Sequence, residues 1–166
     1  MDVQKQNNPE FQKVAELIDD IKFAMLITVD KDGSLCGRPM STMQMDADSN
    51  LWFFTGLSSP KVAEINEHQQ VNVSYARADK QEYVSVSGTT QVIRDKEKMK
   101  ELWSPWIKPW FPEGLDDPNL VLLKVTVMQA EYWDAPGSTV KRVYGLAKAM
   151  ITGNTDGFGE NKKVHI

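Results

Sequence analysis

The chain is predicted to be mainly β, a small closed sheet with flanking helices, and three features carry that expectation. Apolar and polar residues alternate through Tyr83 to Arg94 and through Val121 to Val127, the period-two pattern of strands with one face in a core. Turn-forming clusters, Asp30-Lys31-Asp32-Gly33 and Asp46 to Asn50, separate the apolar runs at hairpin distances. Gly88 interrupts the longest run, where a closed sheet needs a bulge or a sharp bend. At 166 residues, 41% hydrophobic and 25% charged, the chain reads as a single domain, with its core from about residue 10 to 135 and a helix and tail beyond.

Asn8-Pro9-Glu10 opens a helix whose Val14, Leu17, Ile18 and Ile21 form one stripe. Phe23 to Val29 follows as a buried strand, and the Asp-rich turn leads into a second strand from Leu35 to Met45. A third, Leu51 to Phe54, ends at a Thr-Gly turn, so these three strands read as a meander. Ser59 at N-cap and Pro60 at the first helical position then start a helix to about Glu67, with Val62, Ile65 and Ala63 on its apolar face. Val71 to Tyr75 and Tyr83 to Arg94 are strands, with Val84, Val86 and Val92 inward.

Lys96 to Trp103 is a short charged helix. After it, Pro105, Pro109, Pro112 and Pro118 make a rigid arm bearing Trp106, Trp110 and Phe111. These aromatics read either as a satellite cluster on the sheet or as a cover over a ligand or partner subunit. Val121 to Val127 continues less cleanly to Trp133, residues from Val140 to Ile151 have helical spacing, and the tail from Asn154 is polar.

Composition excludes several functions. A net charge of −4 opposes general nucleic-acid binding, and no apolar run approaches the roughly 20 residues that span a bilayer. Cys36 is the single cysteine, with His68 and His165 the only histidines, so neither a disulfide nor a metal-ligand cluster is expected. With no apolar export segment in MDVQKQNNPE, a cytoplasmic location is expected. The carboxylate pairs Asp30/Asp32 and Asp116/Asp117 read as turn chemistry rather than general acid and base.

Lys61 is the residue out of place. A helix N-terminus carries partial positive charge, so a first-turn lysine is normally disfavoured. It reads either as a solvated lysine on an ordinary capped helix or as a ligand for an anion, with Thr55, Ser58 and Ser59 adding hydroxyls. Strand alternation places Arg38 and Thr42 on one face, and pairing with the Leu51 to Phe54 strand would bring the Arg38 fork to the same anion.

The segment Arg38-Pro39-Met40-Ser41-Thr42-Met43, an acidic turn, and then Trp52 to Lys61 resemble the flavin-binding split-barrel proteins related to pyridoxamine 5′-phosphate oxidase, most closely their bacterial general-stress branch. The resemblance implies a Greek-key-like split β-barrel and FMN, with FAD less favoured, held by Arg38, by Phe54 with Thr55, and by Lys61 six residues beyond the threonine. Backbone groups along Met40 to Thr42, just after Pro39, could then hydrogen-bond the edge of the ring; the helix start at Ser59 and Pro60, read above from the residues, would be the anion-binding turn, and Trp110 of the arm is a candidate contact if the arm covers the ligand. A homodimer is implied, with the flavin at the subunit interface, Trp133 approaching from the other protomer, and Tyr83 either a second such contact or an exposed strand tyrosine.

The pattern also departs from the oxidases. They carry an Arg-x-His element after the strand-end tryptophan, where this chain has Ala135-Pro136-Gly137-Ser138-Thr139, and Met43 stands where they have a lysine. The cofactor half of the site is kept and the vitamin-substrate half is not. The resemblance therefore implies an FMN-dependent oxidoreductase of unassigned substrate and electron donor, with a non-enzymatic flavin carrier, or a barrel holding haem or a deazaflavin, as alternatives.

Overall fold

A computed structural model of the chain describes residues 1–134 and 160–165. The order is β1 (Asp2–Val3), a 3₁₀ turn at Pro9–Phe11, α1 (Gln12–Asp19), β2 (Phe23–Val29), β3 (Leu35–Met45), β4 (Asn50–Gly56), α2 (Pro60–Glu67), β5 (Gln70–Arg77), β6 (Glu82–Ile93), α3 (Lys96–Leu102), β7 (Leu120–Asp134) and β8 (Glu160–His165). Six strands close a barrel in the order β3-β2-β5-β6-β7-β4, because β4 pairs with both β7 and β3. All six neighbouring pairs are antiparallel. The mainly β, closed-sheet expectation holds.

Alternation explains the interior. Leu26, Met45, Leu51, Phe53, Val73, Tyr75, Val84, Val86, Leu123 and Val125 face inward, and α1 adds Val14, Leu17 and Ile18 to the same core. β4 is buried on both faces, since Trp52 and Phe54 point out of the barrel into a second cluster with Met99, Leu102, Ile107, Phe111, Leu120 and Leu122. That second cluster fixes the proline-rich arm against the barrel.

Two glycines are needed where they stand. Gly33 closes the β2–β3 turn at φ 84°, a conformation that glycine reaches without steric cost. Gly88 sits beside the register shift between β6 and β7, where a Cβ would lie 2.2 Å from the Thr126 carbonyl oxygen. The Asp46 carboxylate organises the next turn, accepting from the Asn50 backbone N–H at 2.9 Å and from Trp52 Nε1 at 2.8 Å.

Several boundaries differ from expectation. Thr55 and Gly56 continue β4, because they stay paired with Val121 and Leu120, and the turn begins at Leu57. On α2, Ala63 is exposed and Glu64 takes its place on the buried face. The polar tail was not expected to form a strand, yet β8 pairs with β7 and buries Val164. β1 is likewise unanticipated; Gln44 Nε2 donates to the Asp2 carboxylate at 2.6 Å and anchors it. The helix expected over 140–151 lies outside the described residues.

Candidate functional site

Pairing of β3 with β4 brings two segments of sequence together, and only three residues separate the end of β4 from the start of α2. The arm, held by buried Ile107 and Phe111, closes the opposite side. Between them lies a cleft of about 420 Å³. Its walls are Phe23 from β2, Pro39, Met40, Ser41 and Met43 from β3, Phe54, Thr55 and Gly56 from β4, Lys61 from α2, and Trp106, Ile107, Trp110 and Phe111 from the arm. Most of this lining is apolar or aromatic, which suits a flat organic ligand with a few polar handles.

The polar end is at Lys61. Ser59 has extended N-cap geometry but makes no capping bond with its side chain. Its hydroxyl instead accepts from Lys61 Nζ at 3.0 Å, and Thr55 Oγ1 accepts from the same ammonium at 3.1 Å. Among the described residues Lys61 forms no ion pair. Burial depresses its pKa from the ordinary lysine value, the nearby Arg38 charge depresses it further, and Glu64 partly opposes both. The site thus presents a partly desolvated cation without a carboxylate of its own.

Arg38 is near Lys61 but is committed elsewhere. Its Nη2 lies 2.8 Å from Glu64 Oε2 and donates to Oε1 at 3.1 Å, while Nη1 donates to Thr28 Oγ1 at 2.6 Å. The Thr28 hydroxyl completes the ring by donating to Glu64. Arg38 does not line the cleft.

The other anticipated residues divide. Pro39, Met40, Ser41, Phe54, Thr55, Lys61 and Trp110 share the cleft, and Ser59 and Pro60 form the turn beside it. Thr42 does not join them: it faces the barrel interior, where its hydroxyl lies 2.9 Å from the Tyr75 phenol oxygen. Burial pushes the Tyr75 phenol well above its usual range, so this pair is neutral. Tyr83 and Trp133 also stand outside the cleft, directly opposite one another on β6 and β7 and 41% and 38% exposed. Phe23, Ile107 and Glu64 were not anticipated. For Glu64 the periodicity gives no signal: successive helical residues turn by about 100°, so Glu64 stands as far from the Val62–Ile65 stripe on one side as Ala63 does on the other.

The profile of the family described as "Pyridoxamine 5'-phosphate oxidase like" matches residues 9–156. General stress protein 26 of Bacillus subtilis is 30% identical over 119 residues, 69% of this chain and 81% of that protein. A crystal structure of general stress protein 26 from Jannaschia sp. CCS1 superposes with a TM-score of 0.72 at 28% identity, covering 91% of this chain and 94% of that one. The general stress FMN/FAD binding protein of Xanthomonas citri superposes at 0.66 and 28% identity, covering 79% and 93%.

Proposed function

The chain belongs to the pyridoxamine 5′-phosphate oxidase-like family, and on that premise we propose that it is a cytoplasmic, general-stress-type flavoprotein whose cleft holds FMN. The observation that carries the reading is Lys61, an ammonium without an ion-pair partner among the described residues, at the polar end of an otherwise apolar cleft of about 420 Å³. A phosphate monoester at that end would supply the missing counter-charge, and the hydroxyls of Thr55 and Ser59 already orient the ammonium. Phe54, Met40 and Trp110 offer the apolar walls that a planar ring needs. The Xanthomonas citri protein, described as binding FMN or FAD, supports the same choice.

FMN when bound would supply the redox chemistry through its ring. The protein's own part is to bind, orient and shield. Among the cleft side chains the polar ones are Ser41, Thr55 and Lys61, so the chain offers hydrogen-bond donors rather than a carboxylate or imidazole acid–base pair. That lining fits a flavin-dependent oxidoreductase acting by electron or hydride transfer, not a pyridoxamine phosphate oxidase. It fits a flavin carrier equally, and oxidation of NADH or NADPH by the loaded protein separates the two.

The proposal includes a homodimer with the site at its interface. Phe23 lines the cleft yet is 62% exposed, and Met25 two residues on is 43% exposed. A partner covering that strip would wall the cleft as well. Light scattering at micromolar concentration is expected to read a dimer, and a monomer there would count against a shared site. Alanine at Arg38 or Lys61 is expected to weaken FMN binding at least ten-fold, against no change for the exposed Lys162. Equal, negligible losses at all three would refute the phosphate site.

A further inference from the structure

Two cations and one carboxylate meet at the start of α2, and the carboxylate is already taken. Glu64 is 8% exposed and Thr28 fully buried, so this is a built cluster rather than a surface pair. Arg38 gives Nη2 to Glu64 and Nη1 to Thr28, and Thr28 hydrogen-bonds back to Glu64. Lys61, three residues before Glu64 on the same helix, donates among the described residues only to hydroxyls. A phosphate arriving at Lys61 therefore meets a cluster of net charge +1, with its one guanidinium fork, that of Arg38, already engaged.

We propose that Glu64 is a resident counter-anion of the phosphate site: it holds the Arg38 guanidinium, and anion binding proceeds by Arg38 turning part of its hydrogen-bonding fork from Glu64 to the ligand. Glu64 is then a positioning residue that also sets affinity. Its charge keeps two neighbouring cations compatible while the site is empty, and the same charge opposes the phosphate when it arrives. This deepens the FMN reading and rests on it for the identity of the ligand.

Glu64→Gln tests it without emptying the cluster. The introduced amide oxygen can accept from Arg38 Nη2, its NH₂ can donate to Thr28 Oγ1, and the Thr28 hydroxyl can turn to the Cys36 carbonyl 3.4 Å away. FMN is expected to bind E64Q about ten-fold more tightly than wild type, with a steeper salt dependence, and riboflavin equally to both. Unchanged or weakened FMN binding would overturn the role of Glu64.

A second comparison stands if E64Q folds poorly. In R38M the carboxylate is left uncompensated beside the phosphate, so the R38M/E64M pair should bind FMN at least ten-fold more tightly than R38M alone. Equal affinities would overturn the proposal. Inorganic phosphate, followed through the Arg38 Nε–H resonance, separates this inference from the flavin. Tighter phosphate binding by E64Q, with no FMN binding by either protein, would uphold Glu64 and refute FMN. The same phosphate affinity in both proteins would refute the role of Glu64.

Discussion

Lys61 is legible in the sequence because its sign is wrong for its position. A cation at the positive end of a helix asks for an anion, and no packing pattern is needed to see it. Glu64 is hidden for the opposite reason: helical periodicity counts apolar residues, so it selects Ala63 and passes over the carboxylate. What buries Glu64 is Arg38, 26 residues earlier, and that contact exists only once β2, β3 and α2 are assembled. Thr42 shows the same limit, since its buried partner Tyr75 comes from a strand 33 residues away.

The depressed pKa of Lys61 has a sign that can be measured. Phosphate raises it again by stabilising the ammonium. The advantage of FMN over riboflavin should therefore be full below the free-state pKa and fall as pH rises from there towards the higher bound-state value. Because the free-state value lies below that of an ordinary lysine, the fall begins earlier than an unperturbed side chain would allow. Dissociation constants for both ligands across alkaline pH check this, with Lys61→Gln expected to remove the slope. A wild-type profile as flat as that of K61Q would contradict it.

At the scale of elements, strands were readable where one face is buried and the other wet. β3 and β6 have close to their expected bounds for that reason; β2 has its expected bounds as an apolar run, but it is not the buried strand expected, since its outer face leaves Phe23 and Met25 62% and 43% exposed. β1 and β8 were not readable: one has two residues, and the other buries Val164 within an otherwise polar run. The aromatic arm had two readings, and the structure divides them by residue. All four of Trp106, Ile107, Trp110 and Phe111 line the cleft, but Ile107 and Phe111 are also buried in the second core, whereas Trp106 and Trp110 are 44% and 67% exposed, with ring centroids 6.0 Å apart at an edge-to-face angle of 87°.

Gly88 was expected at a bulge, and its neighbours make the reason quantitative. A methyl group there would overlap the Thr126 carbonyl oxygen at 2.2 Å and crowd Val127 Cα at 3.1 Å, both backbone atoms that cannot swing aside. Gly88→Ala should cost about 2–3 kcal/mol by overpacking. Urea unfolding checks this through a lower midpoint at unchanged slope. A midpoint equal to wild type would mean that β6 and β7 separate there without cost.

At the scale of the whole molecule, closure of the barrel is a long-range event. β4 must find β7, with Asn50 opposite Thr126, across nearly half of the chain. Alternation gives strands but not their partners, so composition and periodicity alone reach only a small closed sheet. The likeness of Arg38 to Lys61 to the flavin-binding split barrels supplied the topology, and the family match over residues 9–156 agrees with it. Closure also makes the site: β3 and β4 supply one wall of the cleft, and the arm between β6 and β7 supplies the other.

The central claim is that the cleft recognises a flavin by its phosphate. Titrating the purified protein with FMN and with riboflavin, followed by flavin fluorescence, tests it most directly. Tight FMN binding, with riboflavin weaker by two orders of magnitude or more, is the expected result. Equal affinity for the two would contradict the phosphate site at Lys61, and binding of neither would contradict the flavin itself.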